Sequence, residues 1–305
     1  MLWESYCPVR LSLVYRGRAV PLVWTVLEHP SRRVAYVVYK GLLDQVATLL
    51  PAPCRVVLTA DRGFADTQLM QQLTGLGWHW RIRIKGRFWI YRQGKRLDKG
   101  NRIPFAPGQA LFWQHVSITK QAYGPVHLAL GRPIDSKDYG FVVSDEPTAA
   151  KTCVEYGRRC DIEENFLDDQ SNGVQLESSL IRSAQALERL CGVLALTTVY
   201  WVAQGTAVVH QGKRRWVDAH WCRGQSYLKI GWNGVKLALS RGTNSSAAYI
   251  ARRKPILPLP WLQKSSTRNN HSCSPRWRSV MPRDRLEFCQ SISLPPSKRQ
   301  AMPPN

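Results

Sequence analysis

The segment VVLTADRGFA, residues 56–65, constrains the fold of this chain more than any other stretch. Apolar and β-branched residues run directly into Asp61, and the turn-forming sequence Arg62-Gly63-Phe64 follows at once. A short apolar run of this kind predicts a buried strand. An ionised carboxylate at its end costs desolvation energy unless it is paired or binds a metal. We therefore expect a distant part of the chain to supply a partner for Asp61.

The elements around this strand predict an α/β fold. Residues 9–28 read as a β-hairpin with its turn at Gly17, because the first arm alternates and the second is largely apolar. Residues 41–51 have apolar residues at helical spacing and stop at a proline. Residues 66–77 read as an amphipathic helix with Asp66 as its N-cap. Strands alternating with helices in this order are typical of an α/β domain.

The pattern of polar and apolar residues changes after residue 77. Residues 78–96 alternate basic and apolar residues, which predicts a strand with one cationic face. Short alternating segments broken by Gly and Pro follow up to about residue 145 and predict a β-rich insertion. Residues 148–170 read as one long helix, residues 176–205 as a second that is buried towards its end, and residues 224–242 as a third.

Charge points to a polyanionic partner. The 305-residue chain has 43 Lys and Arg against 21 Asp and Glu, a formal net charge of +22, and nucleic acid is the commonest reason for such an excess. Residues 241–305 hold 12 of the basic and only 2 of the acidic residues, together with 9 prolines, so we expect a disordered basic tail. The eight cysteines contain no CxxC pair, which argues against a zinc site and indicates reduced thiols.

One face of the first long helix carries a set of polar groups. Tyr156, Arg159, Glu163 and Gln170 are three, four and seven residues apart, so they fall within roughly 60° of one another on a helical wheel. Taken alone, this pattern is that of an ordinary solvated stripe. Beside Asp61 it suggests that Asp61 and Glu163 converge on divalent cations, because hard oxygen ligands suit Mg²⁺ or Mn²⁺. Two such ions, about 3.5–4 Å apart, support phosphodiester chemistry.

These motifs carry a resemblance to a known family. The block LTADRGF, followed much later by YGRRCDIEENFLDDQ, resembles the DDE transposases of bacterial insertion sequences. More narrowly it is similar to the group named after insertion sequence four, whose signature is Tyr, two residues, Arg, three residues, Glu, six residues, Lys. Tyr156, Arg159 and Glu163 match, and Gln170 stands in the Lys position. The resemblance covers roughly residues 1 to 240.

The resemblance implies a ribonuclease-H-like catalytic domain with Mg²⁺ or Mn²⁺ as its cofactor. It implies that Asp61 and Glu163 are catalytic acids and metal ligands, and that Tyr156, Arg159 and Gln170 contact phosphates at the transposon end. The cationic residues expected to hold DNA beside them are Arg62, Arg81, Arg83 and Lys85. Tryptophans of the insertion, such as Trp89 or Trp113, are candidates to stack on an unpaired base, although strand-face packing is the commoner role of a tryptophan.

The family pattern requires one more Asp at the end of a first strand. Only MLWESYC precedes the predicted hairpin, and Glu4 is the sole acid in it. We therefore expect Met1 to be an internal start, the first strand to be missing, and its two neighbours to lose a hydrogen-bonded partner. The expected organisation is 1–85 for the first part of the ribonuclease-H-like domain, 86–147 for the insertion, 148–241 for the helical part with Glu163, and 242–305 for the disordered tail.

Three functional hypotheses follow. The first is a transposase-derived chain for metal-dependent DNA cleavage and strand transfer, impaired by loss of the first Asp. The second is a non-catalytic DNA-binding remnant that binds transposon ends or inhibits intact transposase. The third is a nuclease, which the Tyr, Arg and Glu spacing disfavours. The expected partners are transposon-end and target DNA, with a possible homo-oligomer and no membrane, because the apolar run near residues 191–203 is short for a span. The expected location is the bacterial cytoplasm, in association with the nucleoid.

Overall fold

The computed structural model describes residues 5–29, 34–132, 140–169, 176–242 and 288–293. Mixed α/β architecture is confirmed: one ten-stranded mixed sheet carries helices on both faces. The strands are β1 Tyr6–Tyr15, β2 Arg18–Glu28, β3 Val56–Ala60, β4 His79–Arg83, β5 Trp89–Arg92, β6 Lys95–Lys99, β7 Ala110–Ile118, β8 Tyr123–Gly131, β9 Gly140–Ser144 and β10 Phe288–Ser293. The helices are α1 Tyr36–Leu49, α2 Thr67–Gly75, α3 Ala150–Gly157, α4 Cys160–Leu167, α5 Ala184–His210 and α6 Tyr227–Ser240.

The first part of the chain folds as its pattern predicts. The hairpin turn between β1 and β2 uses Arg16 and Gly17, both with positive φ. The side chain of Asp66 accepts a hydrogen bond from the backbone N–H of Gln68, which confirms it as the N-cap of α2. All five residues of β3 are buried, because α1 and α2 cover one face of the central sheet and α3 packs on the other.

The order of strands in the sheet is β2-β1-β10-β3-β4-β9-β8-β7-β5-β6. Strand β4 runs parallel to β3, so both end at the edge where Asp61 follows β3. The segment expected to be one strand over residues 78–96 is instead divided among β4, β5 and the start of β6, with turns at residues 86–88 and 93–94. The strands predicted between residues 86 and 145 are present and extend the same sheet through β9.

Strand β10 fills the position between β1 and β3. It runs antiparallel to β1 and parallel to β3, with Arg10 opposite Ser293 and Val56 opposite Phe288. The expectation of a disordered tail is therefore wrong for residues 288–293, as is the expectation that β1 and β3 lack a partner between them. An unpaired buried backbone group costs about 1–3 kcal/mol, so two open strand edges favour capture of a tail segment. The rest of the tail lies outside the described residues.

The long helix α5 packs on the sheet and on α6 along one side. It is 27 residues long and, in the part of the chain that the structure describes, the one helix long and apolar enough to cross a membrane by length and composition. The expectation that its apolar run is too short is therefore wrong. However, 44% of the apolar window is buried within the protein. The helix packs on β2 and α6, and the indole N–H of Trp24 donates to the carbonyl of Glu188 at 2.8 Å.

Candidate active site

Asp61 occupies the end of β3, at the start of a single 3-10 turn, Arg62–Phe64. Its backbone carbonyl accepts from the N–H of Phe64 at 2.9 Å, and its side chain makes no capping hydrogen bond. The turn is thus closed by backbone alone. The carboxylate is half-buried and acts electrostatically on Tyr156 and Arg159.

The helix predicted over residues 148–170 is broken into α3 and α4. The break lies at Arg158 and Arg159, which keep right-handed helical dihedrals but form tighter hydrogen bonds. Backbone N–H groups donate to carbonyls three residues earlier, as from Arg159 to Tyr156 at 3.0 Å. In such a 3-10 turn, side chains three residues apart eclipse one another. The Arg159 guanidinium accordingly lies 5.7 Å from the centroid of the Tyr156 ring.

Arg159 contacts the helix acid and lies within electrostatic range of the strand-end acid. Its Nη1 donates to Oε1 of Glu163 at 2.7 Å. Burial opposes the charge of Arg159, yet Tyr156, Glu163 and Asp61 together raise the pKa of its guanidinium. Asp61 and Glu163 therefore act on the same cationic side chain, although they are 102 residues apart in the sequence. Of the predicted helix residues, Tyr156, Arg159 and Glu163 therefore lie together.

Tyr156 remains a neutral hydroxyl at this site. Burial raises the pKa of Tyr156 to about 12, Arg159 lowers it, Asp61 raises it and Arg83 lowers it. The phenol therefore keeps its proton at neutral pH and can donate a hydrogen bond. Its oxygen and the Nε of Arg159 are buried, and the side chains of Tyr156 and Arg159 interact with each other, but neither atom has a well-formed hydrogen bond among the described residues. Burying an unpaired donor costs about 1–3 kcal/mol, which an anionic oxygen accepting from both would offset.

The donor set fits a divalent cation with two protein ligands. Carboxylate oxygens are the ligands that Mg²⁺ and Mn²⁺ prefer, and Asp61 and Glu163 supply them from two different elements. Only one oxygen of Glu163 is engaged by Arg159. No group of three His, Cys, Asp or Glu residues with metal-binding geometry occurs in the part of the chain that the structure describes. The site therefore offers two carboxylates.

Other predicted DNA contacts have different environments. Arg62 is exposed, and Arg83 and Lys85 are half-buried. Arg81 is 3% exposed, and its guanidinium binds Glu155, Glu146 and Asp145, at 3.0, 2.6 and 3.3 Å. The expectation that Arg81 presents a free cation to DNA is thus wrong, because three carboxylates already neutralise and desolvate it.

The two tryptophans singled out in the insertion are half-buried on strands. Arg96 lies 4.6 Å from the ring centroid of Trp89, and Arg92 lies 5.6 Å from that of Trp113. Both are strand-face aromatics with a cation on one side. Gln170, in the Lys position of the signature, lies outside the described residues.

A buried ion pair positions the helix that carries Glu163, and the sequence analysis missed it. Arg10 of β1 is 2% exposed and forms an ion pair with Asp169, just beyond the end of α4. At the hairpin, Arg18 pairs with Glu164 and also with Asp168, at 3.2 Å for the latter. The sequence VRLSLVYRGR, residues 9–18, could have indicated these ion pairs, because it places arginines in an apolar strand. Arginine is rarely buried without a partner.

One protein-family profile matches this chain. The profile described as "Transposase DDE domain" matches residues 5–199, which is more than half of the chain and includes Asp61, Tyr156, Arg159 and Glu163. No curated protein matches. Among solved structures, the cryo-EM structure of a piggyBac transposase synaptic complex with hairpin DNA is similar at 12% identity and a TM-score of 0.40. The similarity covers 77% of this chain and 48% of that one, so the chain spans about half the length of that transposase.

Proposed function

The chain belongs to the family of proteins with a transposase DDE domain, and on that premise we propose that it derives from an enzyme of metal-dependent DNA cleavage and strand transfer at insertion-sequence ends. The observation that supports this proposal is the meeting of Asp61 and Glu163 at the guanidinium of Arg159. One acid closes a buried strand and the other lies one helical turn beyond the arginine. The carboxylate of Glu163 also forms an ion pair with Arg159 at 2.7 Å, and its second oxygen is not used in that contact.

The residues divide the chemistry between them. Asp61 and Glu163 would hold Mg²⁺ or Mn²⁺, which when bound activates the attacking oxygen and stabilises the leaving oxygen of a phosphodiester. The neutral hydroxyl of Tyr156 and the Nε of Arg159 would donate to a phosphate oxygen, since both are buried side by side and neither has a well-formed hydrogen bond in the described chain. Exposed Arg62 and half-buried Arg83 would hold the DNA backbone beside the site.

The narrower assignment is to the insertion-sequence-four group. Its support is the spacing of Tyr156, Arg159 and Glu163, with Gln170 in the Lys position. The sheet around Asp61 favours a ribonuclease-H-like arrangement, in which β10 takes the central position beside β3. We further propose that activity is impaired, because the described site contains two carboxylates and the family chemistry uses three.

A strand-nicking assay tests this assignment. The full chain is incubated with Mn²⁺ or Mg²⁺ and supercoiled DNA that carries the sequences flanking its own gene. We expect weak metal-dependent nicking that is abolished in Asp61→Ala and in Glu163→Ala. Asp44→Asn, which removes an exposed carboxylate paired only with neighbours on α1 and α2, is the matched control and should nick normally. Nicking that survives both acid substitutions would overturn the site, and efficient strand transfer would overturn the impairment.

A second function is favoured by the two-carboxylate site. A chain of this kind can act as a non-catalytic DNA-binding remnant that occupies transposon ends or forms mixed oligomers with intact transposase. This alternative predicts DNA binding that survives the combined substitution Asp61→Ala and Glu163→Ala, because positive charge supplies most of the affinity. Loss of binding in that variant would argue against it. In either case the proposed partner is DNA and the proposed location is the bacterial cytoplasm at the nucleoid.

A further inference from the structure

Two tryptophans are exposed on the loop between α5 and α6. Trp216 is 62% exposed and Trp221 is 83% exposed. Cations lie against both rings: Lys213 is 5.6 Å from the centroid of Trp216, and Arg215 is 4.8 Å from that of Trp221. Large aromatic side chains on a soluble surface are unusual and mark binding sites when they are grouped. We call residues 211–226, together with Arg16 of the neighbouring hairpin turn, the aromatic platform.

The platform is held in shape by a buried acid. Asp218 is 1% exposed and accepts from Nη1 of Arg214 at 3.1 Å and from the backbone N–H of Gly224 at 3.0 Å. Burial opposes its charge, but hydrogen bonds from His220, Gly224 and Arg214 lower the pKa of Asp218 to about 2. Arg214 also donates to the carbonyl of Trp221 at 2.8 Å. These hydrogen bonds fix the conformation of the loop, and Arg214 serves to hold that conformation.

A pair of guanidinium groups lies next to the tryptophans. Arg223 and Arg16 lie 4.2 and 4.9 Å from the centroid of the same ring, that of Tyr227, and Arg16 donates to its hydroxyl at 3.2 Å. The Nε and Nη1 atoms of Arg223 are buried and have no hydrogen-bond partner in the described part of the chain. The positive charges of Arg16 and Arg223 lie close together around the Tyr227 ring, and Arg223 has buried donors without a partner among the described residues. Such an arrangement favours binding of an anion with several acceptor oxygens.

We propose that the aromatic platform binds single-stranded nucleic acid, with a phosphate between Arg16 and Arg223 and bases stacked on Trp216 and Trp221. Unpaired bases expose the π faces that an indole ring can stack on, whereas the faces of duplex bases are already stacked within the helix. An open cleft of about 320 Å³, lined by residues 220–224, adjoins Trp221 and gives a base room beside the ring. The interleaving of cations with the aromatic rings favours a phosphate-linked strand over an uncharged partner.

The platform is braced to the candidate active site. Arg18, two residues from Arg16, donates to the hydroxyl of Ser226 at 3.1 Å and also pairs with Glu164 beside Glu163. The proposal deepens the proposed function, because it assumes that nucleic acid is the substrate class and assigns an unpaired strand to this surface. Its test needs no divalent metal and is therefore separable from the test of cleavage.

The experiment measures binding of the full chain to fluorescein-labelled oligothymidylate and to a duplex of the same length, in EDTA. We expect Trp216→Ala/Trp221→Ala to lose tenfold or more in affinity for the single strand and less than threefold for the duplex. Leu196→Ala removes an exposed apolar side chain, 73% exposed on α5, and should change neither affinity. Thermal unfolding at an unchanged temperature shows that the double variant is folded.

The phosphate contact has its own readout. Arg223→Met is expected to reduce the slope of log affinity against log salt by about 0.7, the value for one phosphate on a single strand. Arg102→Met removes an exposed arginine on the insertion and should leave the slope unchanged. Equal losses for single strand and duplex in the tryptophan variant would overturn the proposal. Tryptophan-dependent binding to anionic phospholipid vesicles, with no effect on oligothymidylate, would also overturn it in favour of a lipid surface.

The combined variant Asp61→Ala/Glu163→Ala separates the two proposals. We expect it to bind oligothymidylate as well as the unmodified chain does, because the platform does not use either acid. In the unmodified chain, absence of metal-dependent nicking together with tryptophan-dependent binding of oligothymidylate would contradict only the proposed function. Metal-dependent nicking by the unmodified chain together with tryptophan-independent binding would contradict only the platform.

Discussion

The buried guanidinium of Arg10 makes the sharpest prediction about stability. It forms an ion pair with Asp169, lies 3.3 Å from the sulfur of Cys191 and stacks 4.8 Å from the ring centroid of Phe166. Burial opposes its charge, but Asp169 and Cys191 together raise the pKa of Arg10. Arg10 thus ties β1 to the end of the helix that carries Glu163.

We predict that Arg10→Met destabilises the protein by about 3–5 kcal/mol. Methionine fills much of the volume, so the loss comes mainly from Asp169, which is 4% exposed and would keep an uncompensated charge. Total stabilities are about 5–15 kcal/mol, so this is a large fraction. At a denaturant slope of about 2 kcal/mol per molar urea, the unfolding midpoint should fall by about 1.5–2.5 M.

Urea unfolding at several pH values is the assay. Burial raises the pKa of Asp169 despite Arg10, so the Arg10→Met deficit should shrink as the pH falls and Asp169 takes up a proton. Adding Asp169→Asn to Arg10→Met should recover most of the loss, whereas Arg102→Met, at an exposed surface pair, should change stability by less than about 0.5 kcal/mol. A loss below about 1 kcal/mol, or a deficit that grows at acid pH, would refute the reasoning.

Two further predictions concern other parts of the chain. Burial opposes the charge of Glu146, but Arg81 and Arg55 hold the pKa of its carboxyl at about 2. The stability that this carboxylate contributes should therefore be complete above pH 4.5 and be lost as the pH falls towards 2. Over that range the free energy of unfolding of Glu146→Gln should depend less on pH than that of the unmodified chain. A Cβ on Gly205 would overlap a backbone carbonyl of α6, so Gly205→Ala should lower the free energy of unfolding by about 1–3 kcal/mol, measured by thermal unfolding. Gly75 has open space around it, so the control Gly75→Ala should not destabilise the protein.

The sequence predicted best what is local. The N-cap at Asp66 and the turn at Gly17 depend on a few adjacent residues, and both are where the pattern placed them. The spacing of Tyr156, Arg159 and Glu163 on one side of their helices was predictable because helix faces have fixed periodicity. The family signature added the pairing of this segment with the distant strand that ends at Asp61.

What the sequence could not predict depends on long-range partners. Alternation in residues 78–96 indicated which face Arg81 takes, but not that Glu155 and Glu146 meet it there. Likewise, no local signal shows that residues 288–293 enter the sheet beside β3, because this pairing depends on a gap between two other strands, β1 and β3.

Iron-directed cleavage of the backbone tests the central claim most directly, namely that Asp61 and Glu163 bind one cation between them. Fe²⁺ replaces Mg²⁺, and ascorbate with peroxide generates radicals that cut the chain next to the ion. We expect cuts both near residue 61 and near residue 163, suppressed by excess Mg²⁺ and absent from Asp61→Ala. Cuts at only one of these two positions, or cuts that Asp61→Ala leaves unchanged, would contradict the claim.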